Sequence, residues 1–267
     1  VLEKLIDHDE ALRLLEKLWA NSAIDDQVNA TMVKAGKRAE PYLLPRLNSV
    51  NYSRRVSMDQ HLAKIGIEEK LLIAQSVKDL NHESVGVREN AMIRLAKYKP
   101  SNASEANRNE AGRLLLAHSP ANRPMNGYAV ETMKAGWVTK DQSPELLKRL
   151  EEGGINAPTI VAILVKLNDP GSYEPLAQYY AKNPQVERMV RPAFLTFGAP
   201  AEDAMLKLVG NTNAEVNRTA LQILADIGTS KTLATLSKET PTLLKLHPKC
   251  GIQIKVTTAK IKAREKK

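Results

Sequence analysis

The sequence predicts an all-α protein, a right-handed α-solenoid of about seven helix pairs. Three observations predict it. A motif returns about every thirty residues, reading Met32-Val33-Lys34-Ala35-Gly36, then Leu62-Ala63-Lys64-Ile65-Gly66, and later Leu224-Ala225-Asp226-Ile227-Gly228; self-similarity at that period marks stacked helical units that share one core. Aromatics are 4% of the 267 residues, while Leu, Ala, Lys and Glu abound, a balance that favours helices over sheets. The chain is 43% apolar and 26% charged, which suits an ordered protein with a substantial core.

The first helix is expected over residues 2–19, with Leu5, Leu12, Leu15 and Trp19 covering the edge of the core. With the glycine-like position taken as a marker, its equivalents are Gly36, Gly66, Lys99, Gly136, Asn168, Gly198 and Gly228. Eight residues before each marker stand Val28, Met58, Ala91, Tyr128, Ile160, Val190 and Ala220; four before stand Met32, Leu62, Leu95, Thr132, Leu164, Phe194 and Leu224. Together with the positions three and one before, these columns are expected to form one apolar stripe, so that every unit contributes a second helix with one buried side. Leu44 and Leu47, Ala74 and Val77, Leu176 and Tyr179, and Leu206 and Val209 supply the stripe of the first helix of the following unit. Glycine suits the marker because it takes a left-handed conformation at a helix end without a Cβ penalty.

Two insertions account for the longer spacings. The polar stretch Pro100 to Asn109 is expected as an extended loop, and a smaller insertion falls around Ser119 to Asn126. Pro241 and Pro248 are expected to break the register, which gives a solenoid over 1–248 and a basic cap or tail over 249–267. Past Cys250 the chain either forms a basic capping helix or trails into solution, and Ile252, Ile254 and Val256 alternate as they would in a strand.

These columns resemble HEAT repeats, particularly the short HEAT-like type first noted in phycobilisome lyase subunits. The resemblance is carried by Val87-Arg88 followed by Ala91 and Leu95, by Val216-Asn217 followed by Ala220, Leu224 and Ile227-Gly228, and by similar columns from about residue 24 to 240. It implies an armadillo-like helical fold. It narrows function little, since such repeats serve scaffolds, enzyme subunits and nucleic-acid binders alike. The Arg88 column holds Asp25, Arg55, Met125, Ala157, Glu187 and Asn217 elsewhere, so a continuous arginine ladder is not expected.

Binding rather than catalysis is the expected purpose: a non-catalytic protein-interaction scaffold that holds a protein partner on the concave face, as part of a larger chain or complex. No Gly-x-Ser-x-Gly, phosphate-cradling loop or Gly-x-Gly-x-x-Gly occurs, and no cofactor is expected. His8 between Asp7 and Asp9, and His247 ahead of Cys250, are isolated pairs without a second ligand cluster, so no metal is expected. Trp137 and Asp141 are similar to the aromatic and carboxylate pair of HEAT-like alkylpurine DNA glycosylases, but they follow Gly136 in an inter-helix turn. Packing of Trp137 at a repeat junction is the expectation. The Asn-x-Ser/Thr triplets at Asn29, Asn51, Asn102 and Asn217 need no more than chance.

Charge raises the other reading, a nucleic-acid-binding protein. Of the net +9, seven belong to 245–267, where eight basic residues face Glu265 alone, so the body is close to neutral. Within the body, the position two before the marker reads Lys34, Lys64, Lys97, Lys134 and Lys166, then Thr196 and Asp226. These five lysines are the candidate binding residues. Lysine in a last helical turn complements the dipole by roughly 0.3 to 1 kcal/mol; a row of them on stacked helices would also suit an acidic ligand or a phosphate backbone, and with the basic tail would serve nucleic acid.

No apolar run approaches the roughly 18 to 20 residues needed to cross a bilayer, so no transmembrane segment is expected. The chain opens on Val1, as a processed product or a fragment would. Cys250 is the only cysteine, which agrees with a cytoplasmic location and leaves an exported or periplasmic one open.

Overall fold

A computed structural model describes residues 8–18, 25–48, 58, 61–119 and 123–266. The expectations placed on Leu2, Leu5, Asp7, Trp19, Asn51, Arg55, Pro120 and Lys267 lie outside the described residues. All regular structure among the described residues is helical. By contact the chain divides into two compact units, one of Val1–Ser119 with Asn126–Val138, the other of Pro120–Met125 with Thr139–Lys267.

The first unit contains α1 (Asp9–Leu18), α2 (Asp25–Ala35), α3 (Glu40–Leu43), α4 (Glu69–Asp79), α5 (Val85–Leu95), α6 (Glu105–Ala117) and α7 (Gly127–Thr132), with a π-helical turn over Met133–Trp137. Residues 61–65 are also helical. Helix α4 packs on α5 and α6, α5 packs on α7, and α1 packs on α2 and α3. Helix α6 begins inside the stretch expected as loop. Ser104 caps it by accepting a hydrogen bond from Asn107 N at 3.2 Å, and Glu105 in the first turn meets the positive end of the dipole, which together stabilise a helix start that polarity alone hides.

The second unit contains α8 (Ser143–Glu151), α9 (Ala157–Leu167), α10 (Tyr173–Lys182), α11 (Glu187–Phe197), α12 (Glu202–Leu206), α13 (Ala214–Ile227), α14 (Ser230–Leu246) and α15 (Gly251–Glu265). Neighbours in sequence pair as α8 with α9, α10 with α11, α12 with α13 and α14 with α15. Across pairs, α8, α10, α12 and α14 pack in succession, and so do α9, α11, α13 and α15. Two rows of helices result, one of first helices and one of second helices.

The columns eight and four before the marker hold. Val28, Met58, Ala91, Ile160, Val190 and Ala220 are buried, as are all seven residues from Met32 to Leu224 in the other column, while Tyr128 is 47% exposed. The column three before is mixed: Met133 and Ala225 are buried, Ala63 and Leu195 are exposed, and Val33, Ala96 and Val165 are half-buried. Helical spacing explains it, because the partners of the −8, −4 and −1 positions lie at −5. There Thr31, Arg94, Ile163, Ala193 and Ile223 are buried.

The markers Gly36, Gly66 and Gly136 have φ of 61°, 74° and 103°, and Asn168 has 44°, the left-handed stop that ends a helix, while Gly198 ends α11 at φ 70° and ψ −151°, a region open essentially to glycine alone. Gly228 differs. Its φ of −65° asks nothing of glycine, but a Cβ there would stand 2.5 Å from Leu224 O, 2.8 Å from Thr232 Oγ1 and 2.9 Å from Ile261 Cδ1. Glycine is present because three groups crowd it.

The C-terminal segment is helical, which settles the strand-like alternation: Ile254, Thr257 and Ile261 are buried at helical spacing on α15. Pro241 does not end α14, which continues to Leu246. Pro241 and Ser237 are both exposed, so the carbonyl that proline leaves without a helical donor is on the solvent side, where water serves it.

In the first unit a buried polar cluster lies where no sequence motif marks it. Asn48, wholly buried, donates through Nδ2 to Asp79 Oδ2 at 2.9 Å and to Ser76 Oγ at 3.3 Å, accepts from Arg94 Nε at 3.0 Å, and receives Asn90 Nδ2 on its carbonyl at 2.8 Å. Burial pushes the Asp79 carboxyl up, against the opposing hydrogen bonds of Asn48 and Gln75 and the charges of His82 and Lys78. Its ionisation therefore works against folding as pH rises from about 3.9 towards the raised value. Asn48→Ala leaves Asp79 and Arg94 each short of one buried partner and is expected to cost about 2 to 4 kcal/mol in urea unfolding. A loss below about 1 kcal/mol would mean that Asn48 does not hold the cluster together.

Candidate binding surface

The second helices of the second unit carry an exposed face opposite their buried stripe. On α13 this face presents Glu215, Arg218 and Asp226, with Gln222 half-buried. Asn213 starts the helix by accepting from Glu215 N at 2.9 Å and Val216 N at 3.4 Å, which sets the register and turns Val216, Ala220, Ile223, Leu224 and Ile227 inward. Arg218 pairs with Glu215 at 2.6 Å, and Arg191 of α11 reaches Gln222 Oε1 at 3.2 Å. These charges are largely matched within the surface itself.

Between α13 and α15 runs a groove of about 430 Å³. Arg218 and Gln222 form one wall, Ile252 and Gln253 the other, and His247, Lys249 and Cys250 close the end. His247 is held by its Nε2 at 2.7 Å from Asn211 O, and the Cys250 thiol, which burial pushes up in pKa, lies 3.6 Å from Leu243 O. A second concavity of about 440 Å³ lies at the start of α11 and α13, between Gln185, Arg188 and Glu215. Burial pushes the Tyr180 phenol up, Thr219 opposes the shift, and the Glu187 and Glu215 carboxylates add to it, so Tyr180 stays neutral and serves as packing.

The five candidate lysines are exposed. Lys34, Lys64, Lys97 and Lys134 belong to the first unit and Lys166 to the second. Lys34 and Lys166 stand in the last turns of α2 and α9, and Lys134 pairs with Glu131 at 3.1 Å. Trp137 is wholly buried and gives its indole N–H to Leu95 O at 2.7 Å, while Asp141 is exposed in a 3-10 turn. With its ring faces covered, this tryptophan offers no stacking platform for a base. Asn217, one of the glycosylation-like triplets, is fully buried and accepts from Gly210 N at 2.9 Å.

The basic segment contains a device that the sequence reading missed. The Arg264 guanidinium donates to Ala225 O and to Gly228 O, the second at 2.5 Å, and Lys260 meets Asp226 at 3.1 Å. Two of the tail's cations thus close the C-terminal end of α13, where carbonyls lack helical donors. Their spacing of four on one helix face was the available signal. Among the described residues no helix is long and apolar enough to cross a membrane, and no three His, Cys, Asp or Glu side chains group as metal ligands. The chain matches no protein-family profile, no curated protein and no solved structure.

Proposed function

We propose that the chain is a HEAT-like α-solenoid and a non-catalytic scaffold that binds a protein partner across the exposed faces of its second helices. The observation that carries this reading is the two-row packing of the second unit, first helices on first helices and second on second. That order leaves a row of second-helix faces with concavities between them. Contacts spread over several helices make each replaceable, so single substitutions should weaken binding without abolishing it.

The test is cross-linking to the partners captured from the native host, followed by mapping of the cross-linked residues. Cross-links concentrated on α9, α11, α13 and α15 are expected; cross-links confined to the first helices would end the proposal. The same preparation tests the lysines. If Lys64, Lys97 and Lys134 contribute, reversing them to Glu weakens an acidic partner by about tenfold or more, and unchanged affinity removes them from the surface. A nucleic-acid partner is less well supported, because Arg264 and Lys260 are already engaged with α13. It predicts oligonucleotide binding that falls steeply with salt, and no binding even at low salt disposes of it.

A further inference from the structure

The exposed face of α15 departs from the polar face of α13 beside it. On α15 the exposed positions Ile252, Val256, Ala259 and Ala263 recur at i, i+4, i+7 and i+11, a spacing that places them in one strip on the face away from the core. Ile252 is 78% exposed and Val256 is 42% exposed. Scattered exposed aliphatics are ordinary, but a continuous strip along one helix is not. The strip is bordered by exposed Lys255 and Lys262 on one side and by Lys249 on the other, where Lys260 is already paired with Asp226 at 3.1 Å. Beside Ile252 it opens into the groove of about 430 Å³ against α13.

We propose that this strip docks an acidic amphipathic helix of a partner protein, its apolar residues on Ile252, Val256 and Ala259 and its carboxylates on the bordering lysines. The inference rests on the protein-binding reading above and specifies the partner's chemistry. Charge selects the occupant. A second copy of the chain would bring the same concentration of lysines against itself, since seven of the net nine positive charges lie in 245–267, and like charges oppose such a contact. Nucleic acid would use the lysines but leave the aliphatic strip exposed, and no aromatic side chain stands between His247 and Lys267 to stack on a base. A lipid surface rewards bulky Trp, Phe or Leu on the inserted face, where this one has Ile, Val and two Ala. A helix of about three turns matches the strip's length, at 1.5 Å of rise per residue, and one of its side chains can enter the groove.

The experiment uses the full chain and a fluorescent, helix-stabilised peptide of about four turns with leucines at i, i+4, i+7 and i+11 and glutamates on both flanks. A second peptide carries lysines in place of the glutamates. The glutamate peptide is expected to bind about tenfold or more tightly than the lysine peptide. Ile252→Asp with Val256→Asp should weaken it about tenfold or more with no change in thermal unfolding, because both side chains are exposed. Lys255→Glu with Lys262→Glu should weaken the glutamate peptide and strengthen the lysine peptide. Equal binding of the two peptides, or indifference to the Asp substitutions, overturns the proposal. So does sedimentation with phosphatidylserine vesicles that is lost on the Asp substitutions, or displacement of the peptide by a single-stranded oligonucleotide. If native partners cross-link to α9, α11 and α13 while the glutamate peptide fails to bind, the strip alone is excluded. If the peptide binds while native partners cross-link only to first helices, the strip stands and the broader scaffold reading falls.

Discussion

Replacing Glu202 with glutamine is expected to destabilise the second unit by about 2 to 3 kcal/mol at neutral pH. The side chain is 6% exposed and its carboxylate is the cap of a helix to which it does not belong. Oε1 accepts from Thr229 N at 2.8 Å, Thr232 N at 3.0 Å and Thr232 Oγ1 at 2.5 Å, and Oε2 accepts from Thr229 Oγ1 at 2.8 Å. Two of the orphan amides at the start of α14 are satisfied by this one residue of α12. Glutamine keeps the volume but turns an NH₂ towards donors, leaving buried groups unpaired.

Acid should reproduce part of that loss. Burial by itself would raise the Glu202 pKa, but the hydrogen bonds from Thr232 and Thr229 outweigh it and hold the carboxyl below the ordinary glutamate range. A carboxylate whose folded pKa lies below its unfolded one, about 4.3, contributes stability that is complete above that value and is lost as pH falls through the folded value. Melting curves of the wild type and of Glu202→Gln should therefore be furthest apart near neutrality and converge below about pH 4. Parallel pH dependence of the two proteins would show that the carboxylate is not the group that titrates.

Gly228→Ala is expected to be at least as costly, at about 2 to 4 kcal/mol, for a reason unrelated to backbone freedom. The added methyl would meet Leu224 O, Thr232 Oγ1 and Ile261 Cδ1 at once, and of the three only the Ile261 tip can yield by moving α15. Amide hydrogen exchange should accelerate across 251–265 before it accelerates in α13. Gly66→Ala is the control: nothing lies within 4 Å of its Cβ position, and its φ of 74° leaves only left-handed strain, of order 1 kcal/mol. If the two variants are equally mild, the crowding at Gly228 has slack and the account is wrong.

The contrast between these glycines shows how far the sequence could be read. Periodicity found the buried columns of Met32 to Leu224 and the helix-ending role of Gly36, Gly66, Gly136, Asn168 and Gly198 because both are local, set within a turn or two of chain. Gly228 also ends α13, with an ordinary negative φ, and the crowding that requires glycine there stayed hidden because a repeat alignment transfers residue identity and cannot transfer neighbours. The column at −3 held only at Met133 and Ala225, for a related reason: Val33, Ala63 and Ala96 are apolar, but small apolar residues occupy partly exposed positions without penalty. The Asn48 cluster was invisible, since Asn48 meets Ser76, Asp79, Asn90 and Arg94 across 28 to 46 residues with no fixed spacing. The same holds for Glu202 and Thr232, 30 residues apart. On α15 the strip's spacing was present in the sequence, but Ile254 between Ile252 and Val256 gave it the look of a strand.

The cross-helix hydrogen bonds of α15 are unevenly placed. Thr257, one residue past Val256, donates to Leu221 O at 2.8 Å, and Lys260 and Arg264 hold the end of α13, so these bonds run from the middle of the helix to its C-terminal end and Ile252 precedes all of them. A partner confined to the strip touches α15 alone and is indifferent to docking, but one whose side chain also enters the groove against α13 binds the docked helix better, so its occupancy and docking share one equilibrium. If it bound the docked form alone, such a ligand at one hundred times its Kd would add about 2.7 kcal/mol to that form. The first turn of the helix, ahead of Thr257, would then be secured by the partner, making α15 a place where recognition and local order rise and fall together.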